Sequence, residues 1–180
     1  FEDQFFKCSL LWGDAREKIN IIPSSIKFDL IYLDGFSPQK CPQLWTIEFL
    51  SKVIEKLNSQ GYLITYSSSA AVRKTLRNLG LEIFTIKPSF NSRTFWSQGT
   101  VAISKFDKNK LKPNFNFEKL SLMEEEHLLT KASIPYRDQS LNSSKEDIIK
   151  KRLDEQLFSN LLSTNKWREK WGMTKLSLKS

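Results

Sequence analysis

The stretch Phe28-Asp29-Leu30-Ile31-Tyr32-Leu33-Asp34-Gly35-Phe36-Ser37-Pro38 decides the fold. Its apolar run over 28–33 reads as a strand buried on both faces, and the acid at the strand's tip is followed by Gly and Pro, which turn the chain sharply. Outward from it, short apolar runs at 5–11, 62–66, 81–86 and 100–104 alternate with segments of helical spacing at 15–21, 46–58 and 70–79. That alternation predicts α/β. The second helix carries Phe49, Leu50, Val53, Ile54 and Leu57 on one stripe with a Gly61 stop beyond it. Residues 87–99 contain no helical pattern, so the last two strands are expected to pair antiparallel as a hairpin. From 106 to 117 the chain is rich in Lys, Asn and Pro, an arm leaving the sheet; helical spacing resumes at 118–131 and 145–162. The expected division is an α/β domain over 1–105, then a linker and α-helical extension over 106–180.

The 180 residues carry 28 Lys+Arg against 20 Asp+Glu, a net charge of +8, which favours a polyanionic partner. Hydrophobic residues make up 39%, enough for a core. No apolar run approaches the ~20 residues that cross a bilayer, and the amino end lacks a secretion signal's layout. A cytoplasmic protein with no membrane partner is the expectation. Cys8 and Cys41 with the single His127 cannot build a tetrahedral zinc site by themselves, and no metal is expected. None of the six glycines forms a Gly-x-Gly cofactor loop. Glu124-Glu125-Glu126-His127 would point in different directions on a helix, which reads as a solvated acidic face.

In open α/β sheets ligands sit at the carboxyl ends of strands, and three such ends carry unusual residues. Asp14, after Gly13, can cap a helix; equally, its carboxylate and the Ala15 amide can accept from and donate to a purine edge. Asp34 is the strongest site candidate, since nothing in Gly35-Phe36-Ser37-Pro38 offers it a cation. Tyr66-Ser67-Ser68-Ser69, hydroxyls leading into a helix, reads as a helix cap. Arg73, Lys74 and Arg77 share one helical surface. Lys87, Arg93, Lys105, Lys108, Lys110 and Lys112 follow, with Phe90, Phe95 and Trp96 among them, a mixture suited to phosphate contact and base stacking.

Leu11-Trp12-Gly13-Asp14-Ala15-Arg16-Glu17, the segment 28–40, Pro42-Gln43-Leu44-Trp45, Ser69-Ala70-Ala71-Val72-Arg73 and Ile134-Pro135-Tyr136-Arg137-Asp138 together resemble the methyltransferase domain of the MnmC-like family. The resemblance implies a Rossmann-like class I enzyme that uses S-adenosylmethionine to methylate an aminomethyl group on the wobble uridine of tRNA. It further implies that Asp14 and Ala15 read adenine, that Asp34 faces the reacting amine, and that Gly35, Phe36, Pro38 and Trp45 shape the uracil pocket. Arg73 and Arg77 would take tRNA phosphates. Some family members are fused to a flavin-dependent oxidase, a possible partner that leaves no motif in these residues.

The chain departs from the family in three places. Cys41 stands where Asn is usual, and only Arg93 remains of a basic loop at 89–98. The family's first two strands, with the Gly-rich cofactor loop, have no counterpart, and residue 1 is Phe; the expectation is a partial sheet from a longer protein that binds cofactor poorly alone. The rival readings are an enzyme like the polyamine aminopropyltransferases, whose cationic substrate the net charge of +8 would repel, and a catalytically silent RNA-binding module.

Overall fold

The computed structural model describes residues 5–87, 98–104 and 116–173. Five strands form one sheet: β1 (Phe28–Tyr32), β2 (Leu57–Thr65), β3 (Glu82–Ile86), β4 (Thr100–Ile103) and β5 (Phe117–Lys119). Their spatial order is β1-β2-β4-β3-β5. β1 and β2 are parallel, joined through α2 (Ile47–Glu55), and β2 continues through α3 (Ala70–Asn78) to β3. β4 then inserts between β2 and β3, antiparallel to both, as the hairpin expectation required. The result is a Rossmann-like α/β sheet with flanking helices.

Alternation along the strands divides the core into two layers. Leu63, Ile83 and Ala102 face Leu50, Val53, Val72 and Leu76 of α2 and α3. Phe84, Val101 and Ile103 point to the opposite face, where Phe117 packs edge-on against Phe84 at 5.2 Å. Thr46 caps α2 by accepting from the amide of Phe49. Before the sheet come α1 (Ala15–Lys18) and a short 3-10 turn; after it come α4 (Leu122–His127), α5 (Lys145–Phe158) and α6 (Thr164–Lys170). Among the described residues, no helix is long and apolar enough to cross a membrane.

Several expectations change. Residues 5–11 form no strand, and Phe5, Leu10 and Leu11 are exposed. Among the described residues β1 is an outer strand that pairs with β2, and it is exposed along most of its length, with Phe28, Leu30 and Tyr32 open to solvent, where burial on both faces was expected. Gly61 lies inside β2 rather than after a helix. There the β1 pairing shifts register, and a Cβ at Gly61 would sit 2.9 Å from the carbonyl of Phe28. At Phe117 the chain returns to the sheet as β5, where a helix from 118 was expected. The basic and aromatic residues 90–96 and 105–112 lie outside the described residues.

The largest correction concerns charge. Glu124–His127 is not a solvated face. Glu124 is buried and accepts from Nη1 of Arg73 at 2.8 Å, Glu125 pairs with Arg77, and Glu126 pairs with Lys170 of α6. His127 stacks on Trp167 with ring centroids 4.1 Å apart. Burial, followed by the charges of Arg73 and Arg168, pushes the His127 imidazole down to about 4. Arg73 is only 1% exposed: Nε donates to Thr100, Nη2 to the Gly99 carbonyl and to Thr85. It is a structural cation, because its guanidinium cannot reach a phosphate outside. Arg77 is half-buried and held by both oxygens of Glu125, so its charge is neutralised within the fold.

Removing one member of a buried ion pair leaves the other uncompensated, at a cost of about 3–5 kcal/mol. Arg73→Met is expected to lower the unfolding free energy by that amount in urea titration, with the Arg73→Met/Glu124→Leu double variant losing less. His127 favours its neutral form when folded, so stability is full above pH 6.5 and falls as pH drops toward about 4, while the unfolded chain takes up the proton. His127→Phe is expected to flatten the dependence of Tm on pH in that window.

Candidate active site

The hydrogen-bond ladder of β1 ends where the Leu33 amide donates to the Ile64 carbonyl at 2.9 Å, and the next residue, Asp34, is exposed. Two aromatic side chains hold the loop that follows. Tyr66, at the end of β2, donates its hydroxyl to the Gly35 carbonyl at 2.7 Å, and Trp45 donates Nε1–H to the Phe36 carbonyl at 2.8 Å. Their rings meet edge-to-face at 6.4 Å. The amides of Lys40 and Cys41 both donate to the Ser37 carbonyl and close the turn. Gly35 lies close to Leu44: an added Cβ would be 2.7 Å from its Cδ1.

This loop opens a cavity of about 610 Å³ lined by Asp34, Gly35, Phe36, Ser37, Lys40, Leu44 and Tyr66. Asp34 makes no hydrogen bond or ion pair among the described residues, so its charge acts outward into the cavity. Burial, then the Asp34 charge, raises the Tyr66 hydroxyl above its ordinary value and keeps it a donor. Phe36 is 76% exposed and available to stack on a ligand, whereas Trp45 is wholly buried and acts as a support behind the loop rather than as a wall. Pro38 is buried and faces a second cavity. The loop therefore brings Asp34, Gly35 and Phe36 together, and Arg73 and Arg77 line neither cavity.

Asp14 caps α1 by accepting from the Arg16 amide at 2.9 Å, and the Arg16 side chain returns to its carboxylate at 2.7 Å. That hydrogen bond holds the Asp14 carboxyl below the usual carboxylate range. Arg16 is itself fixed from far along the chain: Nη1 donates to Asp138 at 2.9 Å and to the Ser143 carbonyl at 3.1 Å. Asp138 is fully buried. Asp14 keeps part of its carboxylate open to solvent beside the exposed Ala15, so an acceptor and a backbone donor stand next to each other. This donor set fits the amine and ring nitrogen of an adenine.

Reading the sequence did not single out Lys40, Leu44, Arg16 or Asp138 as site residues, and it took Tyr66 only as the start of a hydroxyl run that caps a helix. Tyr66 had a signal, its place at a strand's carboxyl end beside Ser67. Asp138 had none, because its effect depends on packing against α1 from 122 residues away.

An acid-tipped strand, a cavity beside it and a partly solvent-open carboxylate at Asp14 are the chemically distinctive features of this Rossmann-like fold. The chain belongs to the S-adenosyl-L-methionine-dependent methyltransferase family, whose profile it matches over residues 1–101. The family's cofactor is S-adenosyl-L-methionine. The crystal structure of MnmC2 from Aquifex aeolicus superposes with a TM-score of 0.73 at 31% identity, covering 87% of this chain and 46% of that one. An uncharacterized protein of Methanocaldococcus jannaschii is 29% identical over 93% of this chain and 44% of its own length. The tRNA 5-methylaminomethyl-2-thiouridine biosynthesis bifunctional protein MnmC of Campylobacter hominis is 34% identical over 47% of this chain and 12% of its own length. The chain thus spans less than half the length of each of these relatives.

Trp45→Phe removes the donor to Phe36 while keeping most of the packing. It is expected to cost about 1–3 kcal/mol in thermal unfolding and to speed proteolytic cleavage within 34–40.

Proposed function

We propose that the chain forms part of an enzyme that transfers a methyl group from S-adenosyl-L-methionine to an aminomethyl nitrogen on the wobble uridine of tRNA. The observation that carries this reading is Asp34, an exposed carboxylate on an open cavity with no internal partner among the described residues. It gains support from the kinship with proteins whose names specify tRNA 5-methylaminomethyl-2-thiouridine biosynthesis. Residues 1–105 would carry the transfer site and residues 106–180 would brace it.

S-adenosyl-L-methionine, when bound, supplies a methyl group on a positively charged sulfur. Asp14 and Ala15 would hold its adenine. An alkylamine is mostly protonated at pH 7 and must lose a proton before it can attack, and Asp34 is placed to accept that proton's hydrogen bond and pass it to water. As the nitrogen gains positive charge during transfer, the fixed Asp34 carboxylate stabilises it and aims its lone pair. Gly35 allows close approach, and Phe36 stacks on the uracil. Tyr66 and Trp45 keep both loop carbonyls pinned, so Asp34 does not have to be reoriented during the reaction.

The test is methyl transfer from labelled S-adenosyl-L-methionine to tRNA bearing 5-aminomethyl-2-thiouridine, using the full-length protein. Asp34→Asn and Asp34→Ala are expected to lower the rate about 100-fold or more, with S-adenosylhomocysteine binding unchanged. Activity that does not depend on residue 34 would remove the reading.

A further inference from the structure

The second cavity, of about 460 Å³, shares Ser37 with the first and is bounded by Pro38 and Gln39 of the same loop. Its far wall belongs to the carboxy-terminal helices, with Arg152 on α5 and Arg168 on α6. No Asp or Glu is among the described residues lining it. Arg152 is rigidly held: Nε donates to the Ile134 carbonyl at 2.7 Å, Nη2 to the Ala132 carbonyl at 2.9 Å, and the guanidinium lies 4.4 Å from the centre of the Tyr136 ring. Its Nη1 has no hydrogen bond or ion pair among the described residues. The nearby carboxylate of Glu155 is taken by Arg137 at 2.7 Å. Arg168 is exposed and likewise forms no ion pair among the described residues.

The remaining wall is the start of α3. Ser69 sits at its N-cap position and lines the cavity with Ala70, yet its hydroxyl accepts no hydrogen bond from the helix. The cap expected from Ser69 is therefore absent, and its hydroxyl satisfies none of the first-turn N–H groups of α3. One pre-oriented guanidinium, one exposed guanidinium and a helix start without a serine cap converge on a space that no described Asp or Glu lines. Those are the donors that a phosphate requires, and two cations against none of the opposite sign favour an anion.

We infer that this cavity holds a backbone phosphate of the RNA whose reacting nucleotide sits at Asp34; the inference rests on the tRNA reading above. The shared loop couples the two sites. Ser37 borders both, so the cavities adjoin, and a nucleotide with its amine at Asp34 would direct its own or its neighbour's phosphate toward Arg152 and Arg168. The cavity thereby takes the place of the buried Arg73 and the paired Arg77 as the phosphate contact.

The test uses the full-length protein with the same hypomodified tRNA and measures KM, kcat and the salt dependence of binding. Arg168 is exposed and unpaired among the described residues, so Arg168→Gln is expected to leave Tm unchanged. It should raise KM for tRNA several-fold at constant kcat and make the slope of log K against log salt shallower by about 0.7–1, one phosphate's worth. Arg168→Glu should do more, and Arg168→Lys should restore most of the slope. Lys52→Gln, which removes a cation bonded to Asn20 away from the cavity, should leave the slope unchanged. If the wild type methylates tRNA and Arg168→Glu changes neither KM nor slope, the phosphate site is overturned while the reading stands. An equal change from Lys52→Gln overturns the site as well. If the wild type neither binds nor methylates tRNA, both fall together.

Discussion

Arg73 carries its guanidinium into the interior between α3 and the sheet, where a cation is tolerated only if its donors are filled. Filling them restricts the surrounding structure. Thr85 and Thr100 are directly opposite each other in the β3–β4 pairing, and both present hydroxyls to Arg73. A slip of one residue in either strand would present Phe84 or Val101 instead, turning part of the outer hydrophobic layer toward a charge. Gly99 must lack a side chain, since a Cβ there would collide with the Thr65 carbonyl, and its own carbonyl accepts from Arg73. Glu124 completes the set. Burial opposes its ionisation, yet the Ser121 amide and Arg73 hold its carboxyl below the usual value, so the start of α4 is tied to the sheet as an anion.

The same network reaches the candidate site. Thr100 receives from Arg73 and donates its hydroxyl to the Ser67 carbonyl at 2.6 Å, which fixes the chain just beyond β2. Tyr66 is the adjoining residue, and it holds Gly35. The carboxy-terminal extension braces the other side. The Ile47 amide donates to the Tyr136 carbonyl at 3.0 Å, at the α2 start that follows Trp45, and Asp138 reaches Arg16 and through it Asp14. Residues distant in sequence thus determine how rigidly both carboxylates are presented.

Signals confined to one segment were legible in the sequence. The strand ending at Asp34, the helix stripe of Phe49, Leu50 and Val53, and the antiparallel last strand all follow from periodicity and turn chemistry, which act over a few residues. What was not legible depends on pairing across the chain. A run of basic residues on a helix looks the same whether it faces water or Glu124 and Glu125, so Arg73 and Arg77 read as phosphate ligands. By the same symmetry the acidic segment read as a solvated face. Each segment's partner was the other, and no local pattern encodes that. The three residues of β5 are too short for periodicity to separate from the helix that follows them.

The two site carboxylates differ in what surrounds them, and that difference matches the chemistry proposed for them. Asp14 is fixed by its own helix amide and by an arginine that a buried second aspartate anchors. A recognition acceptor needs a fixed direction, and neutralising much of its charge costs it little when the group it reads is uncharged. Asp34 is fixed through the backbone, by Tyr66 at the Gly35 carbonyl and Trp45 at the Phe36 carbonyl, while its carboxylate is left without a cation among the described residues. A counterion at Asp34 would cancel the field that a developing ammonium requires, whereas restraint through the backbone holds position and leaves the charge intact. The fold therefore orders one acid by pairing it and the other by pinning the loop that bears it.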